Sequence, residues 1–101
     1  MEYLFRLTDR ALRDTEAIYG FIEADTSEAA FAWFNELTEA ISSLGRYPER
    51  GAVCPESKKC RRWLFGKKQA TYRIIYAVDK RNAVVNILHI RHCARAPLPK
   101  E

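Results

Sequence analysis

Long apolar runs are absent from this sequence. No stretch approaches the roughly 20 consecutive apolar residues that a membrane-spanning helix needs. The N-terminus also lacks the charged segment, apolar stretch and cleavage site that together direct export. We therefore expect a cytoplasmic protein that makes no contact with a membrane.

Cysteine and histidine are scarce: the sequence has three cysteines and two histidines. An odd number of cysteines argues against a disulfide framework. A zinc site would need close pairs of cysteines together with histidines, and only Cys54 and Cys60 are near each other in the sequence. We expect reduced cysteines and neither a metal ion nor any other cofactor.

Internal repeats and low-complexity segments are also missing. A chain of 101 residues can build one hydrophobic core but not two. Its hydrophobic fraction of 48% is that of folded proteins rather than disordered ones. We expect residues 1–101 to form a single domain.

Acidic residues are almost missing from the second part of the chain. Residues 58–101 hold 12 Lys/Arg and 2 Asp/Glu, a balance of +10, whereas residues 1–57 hold 5 Lys/Arg and 11 Asp/Glu, a balance of −6; together they give the net charge of +4. This asymmetry favours a face that binds nucleic acid or an acidic partner. The alternative is that the acids of the first part fold over the bases of the second and neutralise them, because net charge does not define geometry.

The first quarter of the chain predicts a short strand followed by a helix. Apolar residues alternate over Glu2–Leu7, as in a strand with one buried face. Thr8 is a suitable N-cap for an amphipathic helix that extends to about Ala24. Gly20 within this helix predicts close packing against a neighbouring element. The inward strand positions are Tyr3, Phe5 and Leu7, and the apolar helix positions are Ala11, Leu12, Thr15, Ile18, Tyr19 and Ile22.

A second amphipathic helix follows almost at once. Asp25–Ser27 ends the first helix and caps the second, while Gly45 and Pro48 are expected to stop it. So short a link predicts an antiparallel helical hairpin. The apolar stripe consists of Ala30, Trp33 or Phe34, Leu37, Ile41 and Leu44, with Trp33 and Phe34 expected as anchors in the core rather than as ligand-stacking rings.

The remainder predicts a loop and an antiparallel meander. Pro48–Ser57 contains two prolines and a glycine and is expected to be a loop. Three β-type runs follow, at Cys60–Phe65, Thr71–Val78 and Ala83–Ile90, joined by turns at residues 66–69 and 79–82. The fold class is therefore α+β, with the N-terminal strand as a fourth strand and the helical hairpin covering one face of the sheet.

Alternation within these runs assigns the side chains to two faces. In the second run one face carries Tyr72, Ile74, Tyr76 and Val78, and the other carries Thr71, Arg73, Ile75 and Ala77. In the first run Cys60, Arg62 and Leu64 oppose Arg61, Trp63 and Phe65, and in the third Val84, Asn86, Leu88 and Ile90 oppose Val85, Ile87, His89 and Arg91. The same alternation places His89 and His92 on opposite faces.

Arg73 is the charged residue in the middle of the second run. An arginine among apolar neighbours is costly unless it faces a cleft or has a partner. It is therefore either a functional cation or one half of a structural ion pair with a helix carboxylate.

Four short motifs, in order, resemble those of one protein family. Thr8–Asp14 is similar to its capped helix start, Tyr47–Gly51 to its Pro-x-x-Gly helix end, Tyr72–Tyr76 to its central strand and His92–Arg95 to its closing His-Gly-Ala-Arg. Together they resemble the RelE/ParE superfamily, the toxins of bacterial type II toxin–antitoxin modules of the plasmid-stabilisation type. The resemblance covers about residues 3–96.

This resemblance implies two alternative activities. RelE-like toxins cut mRNA on the ribosome and would use Arg73 and His92 as catalytic groups here. ParE-like toxins block DNA gyrase and lack the nuclease residues. The RelE-like branch commonly ends with a tyrosine, which is missing after Tyr76, so the closing motif resembles the ParE-like branch better even though Cys93 replaces its glycine.

The expected contacts follow from the same resemblance. A cognate antitoxin is implied as partner, with an acidic or amphipathic segment lying over the helices and the sheet edge. Gyrase, or the ribosome with mRNA, is the implied target. A small nucleic-acid-binding module that is not a toxin is the third class. The residues expected to contact the target or a phosphate are Arg61, Lys67, Lys68, Arg91 and Arg95.

Overall fold

A helical hairpin lies on one face of a mixed sheet. The computed structural model describes residues 2–67 and 70–93, and in these ranges it contains two helices and five strands. None of the described helices is long and apolar enough to cross a membrane. The elements are β1 (Leu4–Leu7), α1 (Asp9–Glu23), α2 (Ser27–Arg46), β2 (Ala52–Cys54), β3 (Ser57–Lys67), β4 (Ala70–Asp79) and β5 (Val84–His92).

Both helices begin where the sequence predicts. Thr8 caps α1, its Oγ1 accepting a hydrogen bond from the N–H of Ala11 at 3.1 Å. Thr26 caps α2 in the same way, accepting from the N–H of Ala29 at 3.0 Å. Each cap satisfies a backbone donor that the first helical turn leaves without a partner. The predicted stripe of α2 is buried: Ala30, Trp33, Leu37, Ile41 and Leu44.

The predictions for Gly20, as a site of close packing, and for Gly45, as the end of α2, are both wrong. A Cβ added to Gly20 would meet nothing within 4 Å, so this glycine does not mark close packing. Gly45 lies inside α2, which ends at Arg46, and a Cβ there would be 2.9 Å from the carbonyl oxygen of Tyr3. The Tyr3 N–H donates to the carbonyl oxygen of Gly45 at 2.8 Å. Of the two glycines within helices, Gly45 is therefore the one that permits a close approach, between α2 and the chain entering β1.

Two aromatic residues are more exposed than predicted. Trp33 is 5% exposed and belongs to the core, as expected, whereas the neighbouring Phe34 is 44% exposed. One helix face cannot bury both residues, because consecutive side chains diverge by about 100°. Phe5 on β1 is 49% exposed because β1 is an edge strand that the helices cover only in part.

The sheet has the order β1-β5-β4-β3-β2, and β3, β4 and β5 form the predicted antiparallel meander. β1 is parallel to β5, and the connection between the two strands contains both helices and strands β2, β3 and β4. The loop prediction for Pro48–Ser57 is incomplete, because β2 lies within it and pairs with β3. β2 has only three residues, too few for an alternation of apolar and polar residues that would predict a strand from the sequence.

The two faces of β4 have the predicted composition. Tyr72, Ile74 and Tyr76 are buried against the helices and form the core with residues of α2 and β5. The other face of the sheet carries no helix among the described residues. We call it the open face, and on β4 it presents Thr71, Arg73, Ile75 and Ala77, all half-buried.

Candidate functional site

A β-bulge in β5 decides which residues reach the open face. Ile75 is paired with His89, but the next residue of β4, Tyr76, is paired with Ile87, so Leu88 is an extra residue. Such a bulge reverses the alternation of the strand beyond it. The predicted uninterrupted alternation in β5 is therefore wrong: the buried set is Val85, Ile87 and Ile90.

The N-terminal half of α1 supplies hydrogen-bond partners around this bulge. The Thr8 hydroxyl donates to the carbonyl oxygen of Leu88 at 3.0 Å, and the Thr8 N–H donates to that of Ile87 at 3.0 Å. On the other side, the N–H of Ile90 donates to Oδ2 of Asp14 at 3.1 Å. Backbone groups displaced from the regular β-ladder thus gain partners from the helix, which offsets the cost of burying them.

The bulge places two basic residues of β5 beside those of β3 and β4 on the open face. Arg91 lies directly opposite Arg73, and Leu64 of β3 flanks Arg73 on the other side. In the next row, Ile75 lies between Arg62 of β3 and His89 of β5. Without the extra residue, Arg91 and His89 would face the helices. We call Arg62, Arg73, His89 and Arg91 the open-face cluster; each of the four is half-buried.

Arg73 is the best defined cation of this cluster. Its Nε atom is buried and has no hydrogen-bond partner among the described residues. The ion pairs of the described chain join Arg10 to Asp14 and join Arg61 and Lys80 to Glu49, and none of them includes Arg73. The predicted alternative of an ion pair with a helix carboxylate does not hold, because the helices lie on the opposite face. A buried guanidinium N–H that lacks an acceptor is suited to bind an anionic group of a partner.

His92 does not share a site with Arg73. It lies opposite Tyr72 on the helix side of the sheet, with the two rings edge to face and 4.9 Å between their centroids. Tyr72 in turn contacts Trp33 and Phe65. The structure therefore places His92 beside an aromatic cluster, on the other side of the sheet from Arg73.

The remaining predicted contact residues are dispersed. Arg61 lies on the helix side and donates through Nη1 to the carbonyl oxygens of Glu49 at 3.2 Å and Gly51 at 2.7 Å, so it fastens the loop after α2 to the sheet. Lys67 is exposed at the end of β3. Lys68 and Arg95 lie outside the described residues. Of the predicted residues that the structure describes, only Arg73 and Arg91 come together.

Two members of the open-face cluster, Arg62 and His89, escaped the sequence prediction of site residues. The position of Arg62 could have been predicted, because the alternation of its strand places it on the same face as Leu64. Leu64 is paired with Arg73 in the structure, so Arg62 lies on the face that carries Arg73. His89 had no such signal. Its position depends on the extra residue at Leu88, which is defined only by the register between β4 and β5.

Among the solved structures similar to this chain are two from toxin–antitoxin systems and one of a free toxin. A chain of the chromosomal ParDE system from P. aeruginosa superposes with a TM-score of 0.72 at 20% identity, over 90% of this chain and 96% of that one. The toxin–antitoxin complex RelBE2 from Mycobacterium tuberculosis gives 0.55 at 28% identity, over 91% and 99%. A mutant of the E. coli toxin RelE in the free state gives 0.65 at 17% identity, over 93% and 86%. These likenesses establish the fold predicted from the sequence.

Sequence comparison is more specific than structural likeness here. No curated protein matches this chain significantly. The profile of the family described as "ParE toxin of type II toxin-antitoxin system, parDE" matches residues 5–97, which is nearly the whole chain and includes the closing His92–Arg95 motif. This chain therefore belongs to the ParE toxin family of type II toxin–antitoxin systems.

Proposed function

We propose that this toxin stops growth by blocking DNA gyrase and that the open-face cluster contacts the target. The match to the ParE toxin family over residues 5–97 is the observation that carries the choice of gyrase. The positions of Arg73 and His92 on opposite sides of the sheet support it, because a nuclease would need its acid/base group and its phosphate-binding cation at one reacting centre.

The open-face cluster is suited to binding a protein or nucleic-acid surface that carries negative charge. Arg73 and Arg91 lie directly opposite each other, so two guanidinium groups are side by side on the open face. An anionic group of the target would supply an acceptor for Nε of Arg73.

A cognate antitoxin is the second proposed partner. The ParDE and RelBE2 structures that resemble this chain are those of toxin–antitoxin systems. We expect the antitoxin to be encoded next to this chain and to suppress its toxicity when the two are produced together.

Ribosome-dependent mRNA cleavage is the alternative function, and one observation favours it. His89 is in the row next to Arg73 and Arg91, so an imidazole and two guanidinium groups share the open face. An imidazole could activate a ribose 2′-hydroxyl while the cations neutralise the phosphate. In this alternative His89 replaces His92 as the acid/base candidate.

A supercoiling assay with purified gyrase tests the proposal. We expect the wild-type toxin to inhibit supercoiling, and Arg73→Ala combined with Arg91→Ala to need about 10-fold or more protein for the same inhibition, the loss for one charged hydrogen bond. Arg13→Ala on the exposed side of α1 removes the same kind of charge elsewhere and is the matched control. Unchanged supercoiling with wild-type toxin would sink the proposal.

Primer extension on mRNA from ribosomes tests the alternative in parallel. Cuts that appear with the wild-type toxin and disappear with His89→Gln would establish cleavage on the open face. Loss with His92→Ala and not with His89→Gln would instead support the residue pair predicted from the sequence. Circular dichroism of each variant is needed to exclude loss of the fold.

A further inference from the structure

A shallow cavity of about 590 Å³ lies at the C-terminal end of α2. Its lining is one continuous segment, which joins α2 to β2: Arg46, Tyr47, Pro48, Glu49 and Arg50. None of these residues belongs to the open-face cluster. The cavity therefore requires an explanation of its own.

The Arg50 guanidinium lies over two aromatic rings at this cavity. Its guanidinium carbon lies 4.2 Å from the centroid of the Trp63 ring and 5.7 Å from that of the Tyr47 ring. Contact with the ring faces stabilises the cation and limits its rotamers. A guanidinium fixed in this way can bind a carboxylate through two N–H groups with little further loss of conformational entropy.

The charges around the cavity leave Arg50 available. The Glu49 carboxylate lies 3.0 Å from Nζ of Lys80 and 3.6 Å from Nη2 of Arg61. The hydrogen bond from Lys80 and the charges of both cations hold the pKa of Glu49 below its usual value. Neither Arg46 nor Arg50 takes part in an ion pair within residues 2–67 and 70–93.

We propose that this cavity binds a carboxylate side chain of the cognate antitoxin, with Arg50 as the anchor. The inference rests on the antitoxin partner proposed above and adds where, and by what chemistry, it docks. The carboxylate would lie against the Arg50 guanidinium, and the apolar part of the same antitoxin segment would contact Tyr47 and Pro48. Tyr47 is 63% exposed, and tyrosine, tryptophan and arginine are the residues that most often dominate protein–protein affinity.

An acidic protein segment fits this cavity better than nucleic acid. Glu49 remains ionised within the lining, and its side chain is 54% exposed. The last carbonyl groups of α2 add partial negative charge at the same end. A run of phosphates would bring several negative charges close to both, whereas a single carboxylate directed at Arg50 would bring only one, next to the cation that binds it.

Binding of the purified antitoxin, which we expect the adjacent gene to encode, to variants of the full toxin tests the proposal by calorimetry. Arg50→Ala is expected to raise the dissociation constant about 10- to 100-fold, the range for a charged hydrogen-bonded pair. Arg50→Lys should weaken binding nearly as much, because an ammonium group cannot form the two-pronged contact. Arg81→Ala, in the exposed turn before β5, is the control and should stay within about twofold.

The outcomes separate this inference from the proposed target. A dissociation constant for the antitoxin and Arg50→Ala that is within twofold of the wild-type value overturns the antitoxin proposal. Loss of gyrase inhibition by Arg50→Ala with unchanged antitoxin binding also overturns it, because the cavity would then bind the target. Displacement of the antitoxin by a ten-nucleotide oligothymidylate, in the wild-type toxin but not in Arg50→Ala, also counts against it. If the wild-type toxin fails to inhibit gyrase, the gyrase proposal falls while antitoxin binding remains measurable.

Discussion

The hydroxyl of Thr8 donates a hydrogen bond to the carbonyl oxygen of Leu88, the extra residue of the bulge in β5, at 3.0 Å. The same oxygen atom of Thr8 accepts from the N–H of Ala11 at 3.1 Å and so caps α1. One side chain thus begins the first helix and fixes the irregularity that brings His89 and Arg91 to the open face. The start of α1 and the candidate functional site are therefore linked through Thr8.

Replacing Thr8 by valine should cost more stability than replacing the other N-cap threonine, Thr26. Both substitutions remove a cap, worth about 1 kcal/mol, but Thr8→Val also removes the bond to Leu88, worth about another 1 kcal/mol. We expect the free energy of unfolding to fall by about 2 kcal/mol for Thr8→Val and about 1 kcal/mol for Thr26→Val. Urea denaturation measures both, and equal losses would contradict a role for Thr8 at the bulge.

What the sequence predicts well is local. Thr8 as a cap and the alternation from Tyr72 to Val78 depend on neighbouring residues of the same element, and both are confirmed. The bulge at Leu88 depends instead on how β5 pairs with β4, and a single extra residue leaves no trace in the pattern of either strand. The same holds for the site: the resemblance implies Arg73 as a catalytic group of a RelE-like toxin and Arg91 as a contact residue, but that the two are opposite each other follows only from the register between β4 and β5.

The parallel orientation of β1 and the short strand β2 were beyond sequence reasoning for a related reason. Both are edge strands of the sheet, and β2 has only three residues. Edge strands are specified by their partner strand more than by their own pattern. The close contact at Gly45 likewise joins two segments that are distant in the sequence, the end of α2 and the chain before β1. Gly20, for which close packing was predicted, has no neighbouring atom within 4 Å of an added Cβ.

Alanine at the two helical glycines should therefore have opposite effects. Gly45→Ala forces a Cβ to within 2.9 Å of the Tyr3 carbonyl oxygen and should lower the free energy of unfolding by about 1–3 kcal/mol. Gly20→Ala meets no atom within 4 Å, so it should raise stability by up to about 1 kcal/mol through helix propensity. Thermal unfolding of both variants checks the pair. A stabilised Gly45→Ala protein would mean that the chain before β1 does not pack against α2 as described.

The three free cysteines should react at different rates. Cys54 is 5% exposed, and burial raises the pKa of its thiol, with the nearby Cys60 and Glu56 adding to the effect. Cys60 and Cys93 are half-buried. Because the thiolate is the reactive form and must be accessible, iodoacetamide at pH 8 should modify Cys54 about 10-fold or more slowly than the other two.

Mass spectrometry of peptides after timed labelling measures the rates for each cysteine. Guanidinium chloride provides the control, since unfolding should bring all three rates close together. Native labelling of Cys54 as fast as that of Cys60 would show that the β2–β3 hairpin opens readily.

Tyr76 couples the loop after α2 to the sheet and should make stability depend on alkaline pH. Its side chain is fully buried, and its hydroxyl oxygen accepts a hydrogen bond from the N–H of Gly51 at 3.0 Å. Burial raises its pKa above 10.0, so the unfolded chain loses this proton at a lower pH than the folded chain does. The corresponding stability is fully present below about pH 10 and is lost as pH rises through the folded pKa.

Tyr76→Phe separates the two roles of this hydroxyl. At pH 7 the variant should lose about 1–3 kcal/mol, because the buried N–H of Gly51 is left without its acceptor. Above about pH 10 its free energy of unfolding should fall less steeply than that of the wild type, since the buried phenol no longer titrates. Tyr47→Phe, at an exposed tyrosine, should change stability at pH 7 by less than about 0.5 kcal/mol. Urea titrations from pH 7 to 11 measure these slopes, and parallel curves for wild type and Tyr76→Phe would show that the Tyr76 phenol has the same pKa in both states.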